Sequence, residues 1–260
     1  MGSGDYQDRE NTVFVQGLFE ESSTQKHRLG TIRRTDDGRI FRYASFTAAG
    51  VTAGALVSKA TAPVDGTIAA ADAALAIAGA NEISLTIAGV TLNQFRDGFL
   101  VVKAGTNIGA MYKVRGNGAT DGIASGRASF SLYDKIHTTW VAASSTIGAY
   151  ANPYSSLLIN PAVANEAATT QELAMGVTVR AVTASYYAWI QTHGFCSLVL
   201  DIAAAAGAEA NEMLISPGVT AGRGAITADT ALLGAQIIGY AFESADLTTA
   251  EGNLVFLTIE

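Results

Sequence analysis

The chain has 260 residues, 49% of them hydrophobic and only 15% charged, a balance that argues against disorder and leaves room for one large β domain or two smaller ones. A net charge of −7 disfavours a nucleic-acid binder, which would carry a basic face. The single cysteine, Cys196, excludes an intramolecular disulfide, and no apolar run reaches the roughly 20 residues of a membrane helix.

Residues 1–12 are polar and glycine-containing, without the charged-then-apolar order of a signal peptide, so a protein made and kept in a cytosol, or assembled there, is expected. Val13, Phe14, Val15, Leu18 and Phe19 then form an apolar island between polar flanks. Residues 1–25 therefore read either as an arm that docks on a neighbouring subunit or as an edge strand folded back on its own domain. Next, Leu29 and Ile32, a Thr35-Asp36-Asp37-Gly38 turn, and Ile40, Phe41 and Tyr43 predict a hairpin, because Asp-Gly supplies the positive φ of a tight turn. Arg33, Arg34, Arg39 and Arg42 flank that turn, as a phosphate site or as solvated strand edges that resist aggregation. GVTAG at 50–54 recurs at 218–222 and reads as one turn-into-strand device used twice. The alanine-rich stretch after Lys59 allows a short helix between Thr67 and Ala78 or an extended lead-in to a strand.

The alternation of Ile83, Leu85 and Ile87 predicts a strand over Glu82 to Ala88. An Asp97-Gly98 turn precedes a strand at Phe99 to Val102, Met111, Tyr112 and Val114 mark another, and Ala128 to Asp134 a fourth. Their regular spacing, with turn signals between, predicts a barrel or sandwich. From His137 to Thr170 two Asn-Pro pairs and many small polar residues indicate a connection with one short strand. From Gly176 to Asp201 the pattern sharpens. Tyr187, Trp189 and Gln191 alternate with Tyr186, Ala188 and Ile190, and Gly194 is either the tip of a hairpin or a bulge in one long strand. Tyr187, Trp189, Phe195 and Leu198 are the expected packing centre of their domain. At least three more short strands follow. The fold class is thus all-β in the main, with two β-barrel or sandwich-like domains, little helix and an extended N-terminal arm. Residues 1–25 form the arm, 26–62 plus 174–260 one β domain, and 63–173 a second β domain inserted in it.

No chemical constellation emerges. His27, His137 and His193 lie far apart, and His193 with Cys196 lacks the third and fourth partners that zinc requires. A cysteine inside an apolar strand is a poor nucleophile. Gly116, Gly118 and Gly122 miss the nucleotide-loop spacing, and no segment clusters enough carboxylates for calcium. No catalytic, cofactor-binding or metal-binding residue is assigned, and no cofactor is expected.

The segments LGTIRRTDDGRIFRYASF with AGALV, DGFLVVKAGTNIGAMYKVRGN with FSLYD, YYAWIQTHGFCSLVL, and IIGYAFES with NLVFLTIE resemble structural proteins of tailed-bacteriophage virions. The type they resemble is the head decoration, or cement, protein, and the resemblance spans most of residues 28–260. It implies a β-rich, non-enzymatic protein that forms homo-oligomeric caps, often trimers, on the outer surface of the major capsid protein lattice. The localisation it implies is the virion surface, after assembly in the host cytoplasm, with neither nucleic acid nor membrane as partner. The alternative is a receptor- or glycan-binding module of a vertex, fibre or tail, with Tyr186, Tyr187 or Trp189 stacking on sugars.

Overall fold

A computed structural model describes residues 15–59, 63–68, 76–105, 107–121, 126–141, 145–160, 173–201, 214–226, 236–242 and 252–260. Among them the chain is all-β. It divides into two compact units, Met1–Ser58 with Ser156–Glu260, and Lys59–Ser155. The boundaries expected at 62/63 and 173/174 thus fall at Ser58/Lys59 and Ser155/Ser156.

The first unit opens with β1 (Glu21–Ser22), β2 (Ile32–Arg34), β3 (Ile40–Ser45) and β4 (Leu56–Lys59). β2 and β3 are the predicted hairpin, closed by Gly38 at φ +84° with its amide on the Thr35 carbonyl.

The second unit contributes β5 (Val64–Thr67), β6 (Glu82–Thr86), β7 (Phe99–Ala104), β8 (Met111–Asn117), β9 (Arg127–Leu132) and β10 (Thr146–Tyr150), which close an antiparallel barrel in the order β10-β5-β6-β9-β8-β7. Alternation drives closure, since Ile83 and Leu85, Leu100 and Val102, Tyr112 and Val114, and Phe130 and Leu132 turn to one core. The connections add Phe95 and Trp140, the latter edge-on to Tyr112 at 5.4 Å. At the Asp97-Gly98 turn the aspartate takes the positive φ, +61°, while a Cβ on Gly98 would strike the Tyr150 carbonyl oxygen. The 137–170 connection holds β10 as well as β11 (Leu157–Ile159), one strand more than expected, and β11 pairs into the first unit's sheet. Of the stretch Thr67 to Ala78, where a short helix was considered, Thr67 ends β5, 76–78 are not helical, and 69–75 lie outside the described residues.

The chain then forms β12 (Ala174–Thr178), β13 (Tyr187–Val199), β14 (Leu214–Pro217), β15 (Gly224–Ile226), β16 (Gly239–Ala241) and β17 (Gly252–Thr258). With β1 to β4 and β11 these make an 11-stranded sheet along β11-β4-β12-β13-β17-β16-β14-β15. The sheet curls, because Gly222 donates to the Asn160 carbonyl and accepts from the Leu56 amide. Both GVTAG copies end on a positive-φ glycine, Gly54 and Gly222, just ahead of β4 and β15.

β13 organises this unit. β3 pairs along Tyr187 to His193, β17 takes over from His193 to Val199, and β12 and β1 pair near Ile190 and Tyr187. Gly194, at φ +84°, is not a hairpin tip, for the strand runs straight through it. Thr192 is the extra residue of a bulge against β3, where Gln191 faces Phe41 and His193 faces Ile40. The expected single packing centre is corrected here. Trp189 is fully buried with Phe41 and Tyr43, with Tyr187 packed at the margin, whereas Leu198 belongs to a separate core with Leu56, Val177, Val255 and Leu257. Phe195 is in neither, and is 45% exposed, because its neighbours across the sheet, Phe256 and Leu254, lie on the same uncovered face.

Candidate docking face

On its Trp189 face, the first half of β13 is covered by the chain's own N-terminal region. Gln16, 2% exposed, accepts from the Tyr43 hydroxyl at 2.8 Å and donates from Nε2 to the carbonyls of Glu20 and Tyr187. Its backbone carbonyl accepts from Trp189 Nε1 and from Arg33, whose guanidinium lies 5.8 Å from the indole ring centre. Leu18 packs on this aromatic cluster. Glu21 fastens the next step, accepting from the Thr183 amide at 2.7 Å and hydroxyl at 2.9 Å, with Arg180 3.4 Å away. Those hydrogen bonds, led by the amide, hold its carboxyl below the usual value. His27 packs against Tyr43 and Trp189 at 5.1 and 5.3 Å, and burial, then Arg33, push its pKa down. Burial likewise raises Tyr43.

Of the five residues expected in a docking arm, Leu18 is thus spent on the chain's own unit, while Val15 and Phe19 are exposed. Val13 and Phe14 lie outside the described residues. From Val15 onward the segment folds back on its own unit, with strand only at Glu21–Ser22. A buried glutamine at the centre of this clasp carries no signal in a hydrophobicity pattern, and sequence reading missed it.

Past the Thr192 bulge the alternation shifts by one residue, so Phe195 and Ser197 turn to the face opposite Trp189, and that face is open. Register aligns Tyr240, Phe256 and Phe195 in a row across β16, β17 and β13. In the adjoining row the Phe242 amide donates to the Leu254 carbonyl, and Leu254 faces Ser197. Phe195 meets Phe242 and Phe256 edge-on at 5.0 and 5.1 Å, and His193 meets Phe256 at 5.3 Å. Tyr240, Phe242 and Leu254 are each about half exposed. A groove of about 540 Å³ borders the rows, lined by Phe19, Gln191, Phe195, Ser197 and Leu254 among others. Among the described residues no Asp or Glu lines it, and Arg39, the one cation among them there, pairs with Asp37. Arg42 is likewise held by Glu260, whose carboxylate also accepts from Thr192. Exposed hydrophobic side chains are individually ordinary, but a contiguous uncharged aromatic patch marks a contact site.

The groups considered for chemistry are dispersed. His27 is in the aromatic cluster, His137 beside Tyr112 in the barrel unit, and His193 hydrogen-bonded through Nδ1 to the Glu260 carbonyl oxygen. Burial pushes the Cys196 thiol up to about 12, so it is protonated at neutral pH. Among the described residues no three His, Cys, Asp or Glu side chains gather as metal ligands would, and no helix is long and apolar enough to cross a membrane. Gly116 and Gly118 flank Asn117, which accepts from the Phe95 amide and donates to the Thr91 and Gly118 carbonyls, a strand connection; Gly122 lies outside the described residues. Trp189 is fully buried, so it offers no surface to a sugar; Tyr186 and Tyr187 are partly exposed. Compared with protein-family models, curated proteins and solved structures, the chain finds no significant match.

Proposed function

We propose that the protein is a non-enzymatic decoration protein of a tailed-bacteriophage head. It binds the outer surface of the major capsid protein lattice as a homo-oligomer, assembled in the host cytoplasm, and stabilises the shell. The observation that carries the homo-oligomeric part of this reading is the uncharged aromatic face on β13, β17 and β16, whose residue types act by contact and not by chemistry. The strand-and-turn resemblance supplies the setting. Many weak, repeated lattice contacts then hold the protein by avidity without one strong site.

Cosedimentation of the purified chain with expanded phage heads stripped of decoration tests it. Saturable binding near one chain per capsid subunit, with a gain in the heads' thermal stability, is the expected result. Failure to bind heads at any concentration would refute it. A glycan-binding module would stack sugars on Tyr240 and Phe242, both half exposed, and binding to host envelopes with none to heads would select that second reading.

A further inference from the structure

We infer that the aromatic face is where two copies of this chain pair about a two-fold axis, an inference that rests on the homo-oligomeric half of the proposed function and assigns it a surface. The residues that project from this side of β16 and β17, Tyr240, Leu254, Phe256 and Thr258, and from β13, His193, Phe195 and Ser197, include no carboxylate, lysine or arginine. That matters for a chain of net charge −7, whose copies repel one another unless they meet through a carboxylate-free surface. Among the described residues, Asp37 and Glu260 are each paired with an arginine of their own chain. A face that does not oppose its own image is what a two-fold contact needs, since the same patch is then presented from both sides.

The area fits. Phe19, Phe195, Tyr240, Phe242 and Leu254 are between 45% and 63% exposed. At about 100 Å² of exposed side chain each, they present on the order of 500 Å² per copy and about 1,000 Å² for a pair. Interfaces are somewhat over half apolar, so such a pair with its polar rim buries roughly 1,700 Å², the ordinary size of a stable protein contact. Two sheet faces stack at about 10 Å, and Phe195, edge-on to Phe242 and Phe256 beside the groove, lies within the area a second copy would cover.

Sedimentation velocity of the full-length chain tests this, beside a Phe195→Ser/Phe242→Ser variant and a separate Leu254→Lys variant. All three substitutions fall at exposed positions, and circular dichroism confirms that each variant keeps its β structure. The expected result is a wild-type dimer whose dissociation constant rises about 100-fold or more in both variants. A wild-type chain that stays monomeric at about 100 μM overturns the inference. So does a trimer, or a dimer that both variants leave intact. A wild-type chain that dimerises as described yet ignores phage heads would defeat the decoration reading and leave the pairing standing.

Discussion

The barrel and the open sheet bury their aromatic residues to different ends. In the barrel, Phe95 and Phe130 lie 6.0 Å apart with no exposed surface, because closure gives every strand two neighbours and one interior. In the sheet, Trp189 is as buried as Phe130, with Gln16 and Leu18 among the residues packed round it, and six residues along the same strand, past the bulge and on the opposite face, Phe195 is left open. Closure makes burial a property of the strand pattern. An open sheet makes burial depend on what is laid over it.

Substitutions can break that contrast. Phe130→Ala should cost about 3–5 kcal/mol in chemical denaturation at concentrations where the chain is monomeric, while Phe195→Ala should there cost under about 1 kcal/mol, because only the first leaves a cavity. Equal losses at the two positions would mean that the sheet face is covered. Gln16→Leu should destabilise by about 1–3 kcal/mol, since it strips the Tyr43 hydroxyl of its acceptor, and should weaken hydrogen-exchange protection of Glu21 and Ser22 ahead of the barrel strands.

Acid should act on the same clasp. For His27, held below its ordinary 6.5, the unfolded chain takes up the proton first, so its stabilising share is complete above about pH 6.5 and shrinks below it. For Glu21, held below 4.5, the share is complete above that value and is lost as pH falls through the lower folded value. The Tm difference between wild type and Glu21→Gln should therefore be constant at neutral pH and close towards pH 3; a difference independent of pH would contradict the bond to Thr183. The smallest effect is expected at Arg42→Met, under about 1 kcal/mol, because its ion pair with Glu260 is still partly solvated.

The barrel was the more legible unit in sequence. Ile83 and Leu85, or Tyr112 and Val114, face inward at alternate positions between turn signals, and period-two alternation is what one interior demands. The β2–β3 hairpin was legible through Asp-Gly chemistry. β13 was not, for its first half is covered on both faces and its bulge at Thr192 shifts the pairing, so apolar composition there fails to separate Trp189 from Phe195. The docking face was hidden for another reason. Phe195, Phe256 and Tyr240 come together only through strand register between segments far apart in the chain, and each one alone reads as core. Gln16 is polar and buried by partners distant in sequence, which no local pattern announces.

The central claim, that this chain works by repeated contact on a phage shell, is tested most directly by its copy number in purified virions whose genome encodes it. Quantitative mass spectrometry against the major capsid protein should return a number close to that of the capsid subunit, and a handful of copies per particle would contradict it.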